Sequence, residues 1–81
     1  MQRYFFNVTD GKTTLDELGE QLPDLEAAKQ NAFLMTVDLM RSIDHGPHFW
    51  LGEPWRLWVT DGPKGTGKTV LELKFSANVT A

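Results

Sequence analysis

Eighty-one residues without a cysteine exclude a disulfide, a thiolate zinc site and a cysteine nucleophile. Hydrophobic residues at 41% and aromatics at 11% favour one packed domain over residues 1–81 rather than a disordered chain. The net charge of −3 is split unevenly, with nine acids against four Lys/Arg in residues 1–54 and four Lys/Arg against two acids in 55–81, yet neither part holds a basic run. Binding to nucleic acid by phosphate neutralisation is therefore not expected.

Residues Arg3 to Val8 alternate, with Tyr4, Phe6 and Val8 on one side and Arg3, Phe5 and Asn7 on the other. Aromatic and branched residues at period two predict a strand. Asp10-Gly11 is a two-residue hairpin signal, because both positions tolerate positive φ, and Lys12 to Leu15 can return as a short strand. Asp16 to Gln21 is polar, holds Gly19, and reads as a loop.

Leu22-Pro23-Asp24 opens a helix: proline fits a first turn, and Asp24 can accept the orphan amides there. Leu25, Ala28, Ala32, Met35 and Leu39 recur at spacings of three and four and predict a buried stripe, widened by Phe33, Val37 and Met40. Leu34 falls on the polar side with Gln30, Asp38 and Arg41. The helix is expected to end near Arg41 to Ile43, since Gly46-Pro47 cannot continue it.

Residues 42–54 form a long connection with Gly46, Pro47, Gly52 and Pro54. Trp55 to Thr60 alternates again, Trp55, Leu57 and Val59 against Arg56, Trp58 and Thr60. A glycine-rich turn over Asp61 to Lys68 leads to a last strand, Val70 to Phe75, with Leu71, Leu73 and Phe75 inward. The tail from Ser76 is expected to fray. The elements predict an α+β fold, a small antiparallel sheet in ββαββ order with one helix across one face. Phe6, Val8, Ala32, Leu39, Leu57, Leu71 and Leu73 are its expected core. The other sheet face is left uncovered in this reading.

Several residues then resemble a known pattern. Arg3-Tyr4-Phe5-Phe6-x-Val8, Asp10-Gly11, Gly19, Leu22-Pro23-Asp24-Leu25 and Ala28 are similar to a family of short bacterial proteins known only as a domain of unknown function. The likeness is specific from Arg3 to about Leu39 and looser in the last strands. It implies a small domain with a helix and a hairpin, and brings no activity, ligand or catalytic residue. Leu34 and Val37 are more apolar, and the turn at 61–68 is longer and richer in glycine, than the resemblance leads one to expect.

Gly62-Pro63-Lys64-Gly65-Thr66-Gly67-Lys68-Thr69 matches the phosphate-loop spacing, in which Gly62, Gly67, Lys68 and Thr69 are the defining positions. That chemistry needs a helix starting at the Lys-Thr pair, whose amides and dipole hold the phosphates. Val70 to Phe75 has a strand's period instead, so the expected reading is a mobile hairpin turn with no cofactor; nucleotide or anion binding is the alternative. Asp44, His45, His48 and Glu53 carry donors suited to zinc or iron, but their spacing matches no recognised site. A polar loop without a metal is preferred over a metal-binding loop at 44–53.

Phe49, Trp50 and Leu51 either plug the end of the core or form a contact site. The outer sheet face offers Phe5, Trp58 and Val70 with Arg3 and Arg56. Such interleaving suits single-strand RNA platforms, but the acidic balance favours a homodimer, formed through this face or through the helix face that carries Leu34 and Val37. The expected interaction surface is thus Phe5, Trp58, Arg56, Phe49 and Trp50.

No long apolar run follows Met1-Gln2-Arg3, so neither a secretory leader nor a membrane span is predicted, and a cytoplasmic location follows. Without secretion the triplets at Asn7 and Asn78 carry no glycan. No catalytic constellation is evident. The function read from the sequence is a non-enzymatic interaction domain that self-associates.

Overall fold

The computed structural model describes residues 2–41, 55–76 and 80. Their elements are β1 (Gln2–Thr9), β2 (Thr13–Thr14), β3 (Glu20–Leu22), α1 (Leu25–Met40), β4 (Trp55–Thr60) and β5 (Thr69–Phe75). Every strand pairing is antiparallel. The expected α+β architecture, with one helix and a small antiparallel sheet, is the one observed.

Across the sheet the order is β2-β1-β4-β5, with β3 also paired to β1. The strand β3 is a departure from the sequence reading, which left residues 16–21 as a loop. Glu20, Gln21 and Leu22 lie opposite Tyr4, Arg3 and Gln2, although their polar composition gives no strand signal of its own. The first turn is also longer than the Asp10-Gly11 signal implies. Thr13 and Thr14 pair with Thr9 and Val8, which leaves Asp10, Gly11 and Lys12 in the turn, and Gly11 supplies the positive φ of 99°.

The helix begins where its chemistry dictates. Asp24 is the N-cap, and its carboxylate accepts the Ala27 N–H at 2.9 Å. Along the buried side, Ala28, Ala32 and Thr36 recur every four residues and let the helix sit close to the sheet. The Thr36 hydroxyl is satisfied by donating to the Ala32 carbonyl at 2.8 Å. Against this seam pack Tyr4, Phe6 and Val8 from β1 and Trp55, Leu57 and Val59 from β4.

The expected core is largely present. Phe6, Val8, Ala32 and Leu57 are buried, whereas Leu39, Leu71 and Leu73 are only partly buried at its border. The outer strand β5 is shifted in register between Val59 and Thr60: Val59 lies opposite Leu71 and Thr60 opposite Thr69. The extra residue, Val70, therefore packs against the core instead of joining the outer face.

The second sheet face corrects the sequence reading most. Around Phe5 and Asn7 it is covered by the chain itself. Register along β1 changes between β2 and β3, so residues 15–19 bulge out and fold over this face. Asp16 replaces the missing strand there, its Oδ2 accepting the Phe6 N–H at 3.0 Å. The glycine-rich turn then docks on the bulge, with the Lys64 N–H donating to the Asp16 carbonyl at 2.7 Å.

Candidate interaction surfaces

Phe5 was expected on an open face; it is 6% exposed. Gly19, held at φ 68°, passes directly over its ring, and a Cβ there would lie 2.8 Å from Phe5 Cδ2 and Cε2. Asn7 is fully buried beside it. Its Nδ2 donates to the Trp58 carbonyl and to Thr60 Oγ1, each at 3.2 Å, and its Oδ1 accepts the Asp16 N–H at 3.0 Å. Asp16 Oδ1 accepts the Leu18 and Gly19 N–H groups at 3.1 Å. Asn7 and Asp16 thus bolt the bulge onto the sheet.

Trp58 and Arg56 remain half-exposed on the same side. The Arg56 guanidinium carbon lies 4.2 Å from the Trp58 ring centroid, a cation–π contact, and Arg56 Nε pairs with Glu72 Oε2. Glu72 sits directly across from Trp58 on β5. Arg3, the other arginine of this side, donates from Nη1 to the Leu18 carbonyl at 2.8 Å. Both guanidinium groups already have partners within the chain. Phe49 and Trp50, and with them Asp44, His45, His48 and Glu53, lie outside the described residues.

The glycine-rich segment forms a short 3-10 turn, Pro63–Gly65, and leads into β5 rather than a helix, as the alternating leucines predict. The turn was expected to be mobile; it is instead tied down at several points. The Lys68 N–H donates to Asp61 Oδ1 at 2.7 Å. The Asp61 N–H donates to the Lys68 carbonyl and the Thr66 N–H to the Pro63 carbonyl, both at 3.1 Å. Thr66 Oγ1 donates to the Pro63 carbonyl at 2.6 Å. A Cβ at Gly67 (φ 77°) would stand 2.2 Å from Asp61 Oδ1, so this glycine serves the approach of a carboxylate. Gly62, Gly67 and Lys68 are therefore gathered in one turn with Thr69 opening β5, but the amides of Asp61, Lys64, Thr66 and Lys68 point at the chain's own acceptors, one of them an anion. Calorimetry with magnesium-ATP is expected to find no binding tighter than millimolar, and Lys68→Ala is expected to shift stability by no more than about 0.5 kcal/mol. Micromolar binding abolished by that substitution would contradict this.

The outward side of α1 is different. Phe33 is 61% exposed and Leu34 56%. Val37 and Leu25 are exposed as well, while Glu26, Lys29, Gln30, Asp38 and Arg41 surround them. Near the helix start, Asp24, Glu26, Ala27, Lys29, Gln30 and Phe33 line a shallow depression. The sequence reading placed Phe33 and Val37 on the widened buried stripe, and the structure turns them outward. The signal that locates them is the Ala28-Ala32-Thr36 seam: each follows one seam residue by a single position, about 100° around the helix. Small residues at four-residue spacing mark the side that touches the sheet, and the larger Phe33 points away.

Together these features define a small antiparallel sheet, covered on one face by a helix and on part of the other by two loops, with an apolar strip left on the helix. The chain belongs to the family described as "Domain of unknown function (DUF6894)", which matches residues 3–76. No curated protein matches the chain, and no solved structure does. Among the described residues no helix is long and apolar enough to cross a membrane.

Proposed function

We propose that this chain is a non-enzymatic interaction domain that self-associates through the outward face of α1. The observation that carries this reading is the exposure of Phe33, Leu34 and Val37 on one helix side. Contiguous apolar side chains in water are a recurring mark of a contact surface. Leu15 and Leu18 are exposed too, but they lie apart on the bulge, where single apolar residues need no explanation. The sheet face first favoured by the sequence is less suited, because Phe5 is buried there and Arg56 lies over Trp58.

A pair of short helices buries less surface than a standard protein interface, so the dimer is expected to be weak, with a dissociation constant on the order of 10–100 μM. Sedimentation equilibrium across that range tests it. The mass is expected to rise from monomer to dimer with concentration, and Phe33→Asp to hold the chain at monomer mass while leaving its melting temperature within a few degrees. A wild-type mass that stays monomeric up to millimolar concentration would reject the proposal. Equal dimerisation of Phe33→Asp would move the contact elsewhere.

A further inference from the structure

Glu26, Gln30, Phe33, Val37 and Arg41 follow one another at spacings of four, three, four and four. They form a single strip along α1, on the side turned away from the Ala28-Ala32-Thr36 seam that faces the sheet. The strip is charged only at its ends, with an acid in the first turn and a base at the C-cap, Arg41. Between the two lie an amide and two apolar side chains, with Leu34 along the border. Resting on the reading that this face self-associates, we propose that two copies pair with their α1 helices antiparallel, about a two-fold axis passing between residues 33 and 34.

The charge pattern selects the orientation. In a parallel pair the strip would set Glu26 against Glu26 and Arg41 against Arg41 of the second copy. An antiparallel pair about this axis joins residues whose numbers sum to 67. Glu26 then meets Arg41, and Gln30 meets Val37. Phe33 and Leu34 of both copies fill the centre. Glu26 and Arg41 are equally far from the axis, about 11 Å along the helix on either side, so both ion pairs form at once. The Lys29 ammonium already holds Glu26 Oε1 at 3.0 Å, so Arg41 of the second copy meets a partly neutralised carboxylate and reaches it through Oε2, which lessens but does not reverse the preference for this orientation. Antiparallel helix dipoles add a small favourable contribution of the same sign. Such a contact is isologous, as a closed dimer requires.

The absence of cysteine from the chain makes a cross-linking test clean. Gln30→Cys and Val37→Cys chains are prepared separately, both at exposed positions. In helices packed at the usual distance, opposed strip residues bring their Cα atoms to about 4–6 Å, within reach of a disulfide. Under mild oxidation the mixture is expected to cross-link about ten-fold faster than either chain alone, because like positions then lie about 10 Å apart. Rapid cross-linking of Gln30→Cys alone would show a parallel pair and overturn the proposed orientation while leaving self-association standing. No enrichment in the mixture, alongside a wild-type chain that sediments as a dimer, would also overturn it. A monomeric wild-type mass would sink both readings.

Discussion

Leu57→Ala is expected to lower the unfolding free energy by ~2–5 kcal/mol, and Leu39→Ala by about 1–2 kcal/mol. Leu57 is fully buried in β4, the strand flanked by β1 and β5, and it shares one cluster with Ala28 and Ala32 of the helix. Its truncation leaves a cavity that two rigid neighbours, strand and helix, cannot collapse into. Leu39 sits in the last helical turn and is only partly buried, so solvent already reaches part of it. For 81 residues the total stability is on the order of 4–12 kcal/mol. Leu57→Ala therefore removes a large share of it, and Leu39→Ala leaves a folded protein. Urea titrations followed by tryptophan fluorescence measure both. Equal losses at the two positions would mean that the helix end, and not the sheet centre, organises the core.

The parts of this fold that were legible in the sequence are those where one local rule acts alone. The alternation in β1 and β4, the Asp24 cap and the strand after Thr69 needed only periodicity and a capping side chain. Phe5 and Asn7 alternate out of phase with Phe6, so period two puts them on the opposite face, and there the prediction held. What periodicity cannot say is what covers that face. The cover comes from residues 15–19 and from the turn before β5, segments without periodic pattern, held by side chain-to-backbone and backbone-to-backbone hydrogen bonds that span many residues of sequence.

Part of the interaction strip was misread for a related reason. Phe33 and Val37 are large and apolar, and apolar size was taken as burial. In a helix lying on a sheet, close approach demands small side chains at the seam, so alanine and threonine mark the buried side more faithfully than phenylalanine does. The glycine-rich turn shows the converse. Its spacing fits a phosphate loop, but the segment that follows decides what the amides do, and a strand there turns the Lys68 N–H to Asp61.

Asp16→Ala is expected to unfold this chain or bring it to the edge of unfolding. Asp16 joins three parts of the structure. Its carboxylate accepts N–H groups from Phe6, Leu18 and Gly19, its own N–H donates to Asn7, and its carbonyl accepts from Lys64. Removing the carboxylate leaves three amides without their acceptor. The Phe6 and Gly19 groups are shielded from water, and each such loss costs about 1–3 kcal/mol. The bulge that it shapes also covers Phe5, so the loss of polar bonds exposes an aromatic ring as well. A total loss of about 3–5 kcal/mol follows, comparable to the stability of the whole chain. Asp16→Asn separates the two contributions. It keeps an acceptor toward Leu18 and Gly19 but turns an amide donor toward the Phe6 N–H, so about half of the loss is expected to remain. Asn7→Asp tests the bolt from the other side. It keeps the acceptor for the Asp16 N–H and replaces the donor facing the Trp58 carbonyl by an oxygen. A carboxylate buried against carbonyl groups is strongly unfavourable, and this isosteric change is expected to be at least as damaging as Asp16→Ala. Thermal melts of the three variants, with Asp61→Ala in the turn as a milder comparison, rank these effects. If Asp16→Ala and Asn7→Asp melted within a few degrees of the wild type, the second face of the sheet would not be sealed by this bulge, and the surface around Phe5 and Trp58 would again be open to a partner.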